Sequence, residues 1–349
     1  NISNQYNFKS NSDCEVILPL WIEHKEKLVS QLRGMFAIAI YDAKSNIGFL
    51  ARDPFGIKPL YYAEHKSGIY FSSEPTPLVD LLDLDFSPTE IEVAEFLNFG
   101  FILNGGTGFL GLQAVAPATV MTFTDPVSAP KRHCYWSPPP LAEGRAKISS
   151  SGIDELHGLL IRSIKRRLRA DVPIGLFLSA GIDSTLIAAI CTQDLNQDLQ
   201  TFTISFPDGL DESKQAEWIA SYLGTNHQTI DVLDDPFNGD LPGALKSLYG
   251  TPNDNLTAVS VYQLSLAARP FIKVALSGTG GDELAIGYNK YEFLHKRRLA
   301  YRMSPPAASL AASILEMLSL PRKAETVRTF LGGGNAHRIS ALKNGHASN

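Results

Sequence analysis

One stretch limits what this chain can fold into more than any other: Ile174-Gly-Leu-Phe-Leu-Ser-Ala-Gly-Ile-Asp-Ser184. An apolar run stops at Ser179, Ala180 and Gly181. Asp183 and Ser184 follow, and an apolar helical stretch runs from Thr185 to Cys191. A buried parallel strand that feeds a tight turn and a helix N-terminus reads this way. Such a junction presents unpaired backbone N–H groups at the positive end of a helix dipole, which suits phosphate. The Walker spacing with its Lys is absent, so this is a different kind of phosphate loop.

The residues around it extend the pattern. Ile153 to Arg169 carries Leu156, Leu159, Leu160, Ile164 and Leu168 at helical spacing. Its other face, with Arg162, Lys165, Arg166, Arg167 and Arg169, reads as a solvated basic surface. Strands are expected at Leu199 to Phe206, His227 to Val232 and Ile272 to Leu276. Helices are expected at Ser213 to Leu223, Leu241 to Tyr249 and Val259 to Ala268. That order describes a doubly wound α/β domain, a parallel sheet with helices on both faces.

Ligands in such sheets sit beyond the carboxyl ends of the strands. Three ends are therefore compared: Ser179 to Ser184; Ile204-Ser205-Phe206 with Asp208, Asp211 and Glu212 after it; and Ser277-Gly278-Thr279-Gly280-Gly281-Asp282-Glu283. The first and third each carry Ser, small residues and an acid before a helix. Small residues let backbone amides approach an anion. A carboxylate beside phosphate calls for a divalent cation between them, so Asp183 and Asp282 are candidate Mg²⁺ ligands. The bland alternative is that both acids only cap helices.

The N-terminal part has a different texture. Ser12 or Asp13 is an N-cap for a helical pattern through Val16, Ile17, Leu20 and Trp21. Short runs at Met35 to Tyr41, Ile47 to Ala51, Leu60 to Ala63, Ile69 to Ser72 and Ala118 to Phe123 predict antiparallel strands in a meander. Helices are expected from Pro75 to Leu82 and from Thr89 to Phe99. Arg52-Asp53-Pro54-Phe55-Gly56-Ile57-Lys58-Pro59 reads as a fixed loop whose charges are solvated or paired with each other. This part is α+β. Prolines from Pro126 to Pro140, then Ser149-Ser150-Ser151-Gly152, set a linker. The expected domains are residues 1–124 and 153–349, with a linker at 125–152.

Composition excludes several classes. A net charge of −5 argues against a nucleic-acid surface. Three widely spaced cysteines, Cys14, Cys134 and Cys191, form neither a disulfide framework nor a zinc site and fit a reducing cytoplasm. His24, His65, His133, His157, His227 and His295 show no ligand spacing. No apolar run reaches about 18 residues, so no membrane-spanning helix is expected, and no signal peptide opens the chain.

These residues resemble a known family. Leu178-Ser179-Ala180-Gly181-Ile182-Asp183-Ser184 is similar to the pyrophosphate loop of N-type ATP pyrophosphatases. Leu276 to Leu284 with Gly287-Tyr288 resembles the second motif of glutamine-dependent asparagine synthetases. Gly34 to Asp42 and Arg52 to Tyr62 resemble the latter half of a class II glutamine amidotransferase domain, of the N-terminal-nucleophile kind. The resemblance implies ATP and Mg²⁺ as cofactors, with glutamine and aspartate as further small-molecule substrates. Ammonia released from glutamine would attack an aspartyl adenylate, giving asparagine, AMP and pyrophosphate. By the motifs, Leu178, Ser179, Ala180, Gly181, Asp183, Ser184, Ile204, Ser277 and Gly278 would contact the nucleotide. Asp183 and Asp282 would serve the metal–pyrophosphate site, and Asp13 would hold glutamine. The family leaves a homodimer open.

The chain also departs from the pattern. It begins at Asn1 rather than at the family's nucleophilic Cys, and ends before the family's last helical part, so truncation at both ends is expected. As written, it is not expected to hydrolyse glutamine. Ala180 stands where the loop has Gly, and a left-handed conformation there would cost about 1 kcal/mol and weaken ATP binding. Thr279 replaces a residue that is usually acidic, and Thr is no general base near neutral pH. Two other readings stay in play: the same fold acting on another carboxylate, as in β-lactam synthetase-like enzymes, and a non-catalytic homologue. The tail from Ser304 to Leu320 reads as apolar helix and Gly332 to Gly334 as a loop.

Overall fold

Alternation of apolar and polar residues builds the first part of the molecule. In β1 (Ala37–Asp42) and β2 (Ile47–Arg52) the chain runs out and back across Asp42 to Asn46, with Ile40 opposite Phe49. The turn is held by Asp42, whose carboxylate accepts from Lys44 N and Ser45 N, from Trp21 Nε1 at 3.1 Å and from Lys25 Nζ at 2.9 Å. These donors, Lys25 first, hold the Asp42 carboxyl well below the usual range. The computed structural model describes residues 6–65, 68–124, 129–140, 149–206, 211–231, 237, 239–255, 257–288 and 291, with isolated residues 310, 313, 314 and 317.

Among the described residues the first part holds two antiparallel sheets, not one meander. β1 and β2 continue through β6 (Thr119–Phe123) to β7 (Lys131–Cys134). β4 (Gly68–Ser72), β3 (Tyr61–His65) and β5 (Leu112–Ala114) form the other sheet. Period-two packing explains the layers. On one face of β2, Phe49 and Ala51 meet Leu20 and Trp21 of α1 (Ile17–His24). On the other, Leu50 meets Leu60, Tyr62, Val115 and Met121 between the sheets. α2 (Thr76–Leu82) packs Leu78 on Ala63 and Leu112. α3 (Glu90–Phe99) begins with a capping box: Thr89 Oγ1 accepts from Glu92 N and Glu92 Oε2 accepts from Thr89 N.

Two corrections follow. β7 lies inside the stretch expected as linker, paired with β6, and Tyr135 Oη donates to Arg52 O at 2.8 Å. Its four residues are all exposed, so no apolar pattern announced it. Residues 125–128 and 141–148 of that stretch lie outside the described residues. The chain also divides differently. One compact unit is Asn1–Ala142 with Leu245–Asp254, and the other is Glu143–Ala244 with Asn255–Asn349. Residues 245–254 join the first unit through Asp254 N donating to Gly100 O at 2.9 Å and a bridge between Phe101 and Asn253.

The second unit follows the expected winding. β10 (Asn226–Asp231), β9 (Gln200–Ser205), β8 (Ile174–Phe177) and β11 (Val274–Leu276) form a parallel sheet in that order. Leu176 and Leu178 face Ile164 of α4 (Ser150–Arg167), Ala188 of α5 (Ile182–Ala189) and Ala216 and Ala220 of α6 (Ser213–Leu223). Phe177 and Phe202 face Leu264 and Ala268 of α8 (Thr257–Ala268). The fully buried Phe202 contributes about 2–3 kcal/mol of apolar transfer. α7 (Leu241–Tyr249) precedes α8. Ser149 caps α4 through Gly152 N, so the serine run starts that helix. No helix of the described residues is long and apolar enough to cross a membrane. The tail expected as helix, Ser304 to Leu320, lies almost wholly outside the described residues, and Gly332 to Gly334 lies outside them.

Candidate functional site

The strand order places β8 and β11 side by side, with Leu176 opposite Leu276, so their carboxyl ends open at the same edge. Beyond β8, Leu178 is only 2% exposed, its N–H donates to Phe202 O at 2.8 Å and its carbonyl accepts from the Thr203 hydroxyl. Leu178 thereby anchors the strand end. The next residues turn on hydroxyls. Ser179 N donates to Ser184 Oγ at 3.1 Å, the Ser179 and Ser184 hydroxyls lie 2.9 Å apart, and Gly181 N donates to Ser179 Oγ at 3.1 Å. Gly181 stands at the N-cap of α5 in an extended conformation, and no side chain caps the helix.

Ala180 corrects an expectation. It is not among the residues with positive φ, so the loop turns without a left-handed residue at this position. The serine hydroxyls, rather than glycine geometry, make the bend, and the extra methyl carries no backbone penalty.

The loop after β11 is tighter. Gly281 N donates to Gly278 O at 3.2 Å, and Gly280, at φ 102°, starts the short helix α9 (Gly281–Ala285). The two loops touch through glycine. A Cβ on Gly278 would lie 3.0 Å from Ser184 N and from Asp183 Cβ. One on Gly281 would fall 2.3 to 2.6 Å from the carboxylate of Asp183. The residue types at 278 and 281 thus let Asp183 lie across the neighbouring turn.

Asp282 takes another direction. Its Oδ1 lies where a Cβ on Gly287 would fall, and Gly287 N donates to Asp282 O at 3.0 Å. Ser277 Oγ donates to Thr279 Oγ1 at 3.0 Å. Ile204 is half-buried against the α8-side core, opposite Ile230. The third strand end is less developed: Asp211 accepts from Ser213 N and Oγ just before α6, and Asp208 lies outside the described residues.

Among the described residues no group of three or more His, Cys, Asp or Glu side chains could hold a metal by itself. Mg²⁺ is commonly held by one or two carboxylates and completed by phosphate oxygens and water. Asp183, partly exposed at the crossing of two small-residue loops, fits that requirement. Asp282, turned toward Gly287, fits it less directly.

In the first unit, Asp13 is exposed at the start of a 3-10 turn (Asp13–Val16). Ser12, not Asp13, is the cap, accepting from Cys14 N. In the Arg52 to Pro59 loop, Arg52 and Asp53 are taken up by the backbone rather than by water or by each other. Asp53 is fully buried and accepts from Phe36 N, Phe55 N, Ile57 N and Lys58 N, while Arg52 donates to the carbonyls of Gly56, Lys58 and Val115. Burial pushes the Cys191 thiol up to about 11, which makes it inert at neutral pH.

The chain thus combines a parallel α/β sheet, with Ser- and Gly-containing loops at adjacent strand ends, and a unit of antiparallel sheets. Residues 155–343 match the asparagine synthase family, and residues 1–136 match the glutamine amidotransferase domain. The chain belongs to the asparagine synthase family. It is 31% identical over 288 residues to asparagine synthetase [glutamine-hydrolyzing] 1 of Bacillus subtilis (strain 168), covering 82% of this chain and 44% of that protein. Asparagine synthetase [glutamine-hydrolyzing] 2 of the same organism is 32% identical over 305 residues, covering 81% and 40%. A relative in Penicillium rubens named amidase chyE is 26% identical over 309 residues, covering 83% and 45%. The chain spans less than half the length of these relatives.

Proposed function

We propose that this chain is part of an ATP-dependent amide ligase that converts aspartate to asparagine through an acyl adenylate, with ammonia supplied by glutamine. The observation that carries the reading is the crossing of the two strand-end loops, where Asp183 lies against Gly281 and Gly278 lies against the first turn of α5. A triphosphate placed there meets the uncapped N-terminus of α5 and the hydroxyls of Ser179 and Ser184. Gly181 and Gly278 leave room for the chain of phosphates. Ala180, free of strain, keeps the loop's shape. Leu178 supports the loop from below, and the half-buried Ile204 offers an apolar surface for the base.

Asp183, with Asp282 as the second carboxylate, would hold Mg²⁺, which when bound offsets charge on departing pyrophosphate. Activation is needed because a carboxylate is a poor electrophile, and adenylation gives it a good leaving group. Asp13 would face glutamine in the first unit.

The test supplies a full-length protein with ATP, aspartate and either ammonium or glutamine, and measures pyrophosphate and asparagine together. Equal yields of both support the reading. Pyrophosphate and an amide formed only with another acid would favour the second reading, to which Thr279 and the relative named amidase chyE point. ATP binding without turnover would leave a non-catalytic homologue.

A further inference from the structure

The buried positions of α6 are small. Ser213, Ala216 and Ala220 seat the helix close to β9 and β10. Its bulkiest side chains point away from that core: Trp218 is 68% exposed and Tyr222 is 73% exposed. One turn apart, they stack on each other, with ring centroids 5.8 Å apart and an interplanar angle of 17°. α5 packs on the same core beside α6 and also leaves apolar side chains outside, Ile182 at 83% and Leu186 at 40% exposure. Together the four side chains offer on the order of 500 Å² of surface. An exposed apolar patch of that size marks an interaction site. A standard protein–protein interface takes about 800 Å² from each partner, and somewhat over half of it, about 450 Å², is apolar. The patch therefore matches what one side of such an interface needs.

The spacing along α6 selects the partner. Lys214, Trp218 and Tyr222 recur every four residues, which lines them up along the exposed side of the helix. The line is symmetric in position about Trp218. A second α6 laid antiparallel across it brings Trp218 onto Trp218. Each exposed Lys214 then lies over the ring of the partner's Tyr222, a cation–π pairing made twice. Glu217 is turned aside to β10, where Thr229 Oγ1 donates to it at 2.7 Å, so it leaves this line to the lysine.

We propose that the outer face of α6, with Ile182 and Leu186 of α5 beside it, is the interface of a two-fold dimer of this chain, in which the two α6 helices run antiparallel and cross at Trp218. The stacked rings form the desolvated centre, and the lysine–tyrosine pairs flank it and fix the register.

The experiment measures the dimer dissociation constant of a full-length protein by analytical ultracentrifugation, with circular dichroism as the check on folding. Wild type should be a dimer at micromolar concentration. Trp218→Glu sets two carboxylates at the centre of the interface and should weaken dimerisation about 100-fold. Tyr222→Lys sets like charges against Lys214 of the opposite copy and should also weaken it about 100-fold. Adding Lys214→Glu to Tyr222→Lys makes those charges opposite across the two-fold and should recover at least about tenfold. On one helix the two positions are two turns apart, too far for the same recovery within a single copy. A monomeric wild type overturns the proposal. So does a dimer that Trp218→Glu leaves intact, which places the interface elsewhere. A double variant no tighter than Tyr222→Lys alone overturns the antiparallel pairing. If Trp218→Glu does not fold, Tyr222→Lys with and without Lys214→Glu decides on the same readout.

Discussion

Asp53, in the loop after β2, and Asp183, in the first turn of the helix after β8, use their carboxylates in opposite ways. Asp53 is fully buried, and both of its oxygens accept backbone N–H groups, four in all at 2.9 to 3.3 Å. Its neighbour Arg52 is likewise consumed by three carbonyls. Asp183 is partly exposed, and what faces it from the neighbouring loop is glycine. A carboxylate enclosed by donors has finished its work when the chain folds. One opposed by glycine, at the mouth of an uncapped helix, keeps oxygen valences for a ligand. Residue type alone does not separate the two cases, whereas the number of committed donors does.

Breaking the first loop should have the largest effect. Asp53→Ala orphans four backbone N–H groups, each costing about 1–3 kcal/mol when buried. The first unit should lose most of its stability, read as a large fall in the urea midpoint, and an unchanged midpoint would remove the contrast. Asp183→Ala should do the reverse. Pyrophosphate release by a full-length protein should drop about 100-fold with the unfolding midpoint preserved, and a rate near wild type would deny the carboxylate its role.

Gly281→Ala sharpens the comparison, because the new methyl meets the Asp183 carboxylate at 2.3 to 2.6 Å. ATP turnover should fall about tenfold, equivalent to about 1.4 kcal/mol, in a protein that still folds. Ala180→Gly should do least. With no positive φ to relieve, ATP affinity should stay within about twofold, and a large gain would restore the strain argument.

Much of the second unit was legible in the sequence because its signals are local. Buried strands read as apolar runs, helices as 3.6-residue periods, and the loops at 179–184 and 277–283 as breaks between them. What escaped depends on partners far along the chain. β7 is a run of Lys, Arg, His and Cys whose strand character comes only from pairing with β6. The two sheets of the first unit differ from a meander because β2 pairs with β6 rather than with β3. Residues 245–254 join the first unit through Gly100 and Phe101, about 150 positions earlier in the chain. Asp53 looked solvated because its donors are backbone N–H groups, which no side-chain pattern reveals. The contact of Asp183 with Gly281 was foreshadowed only by two acids after small residues.

Hydrogen exchange on a full-length protein, with and without ATP and Mg²⁺, tests the central claim most directly. The account predicts slowed exchange at 178–184 and 277–283 together, with 52–58 equally protected in both states. Slowing that spares both strand-end loops and falls elsewhere would contradict it.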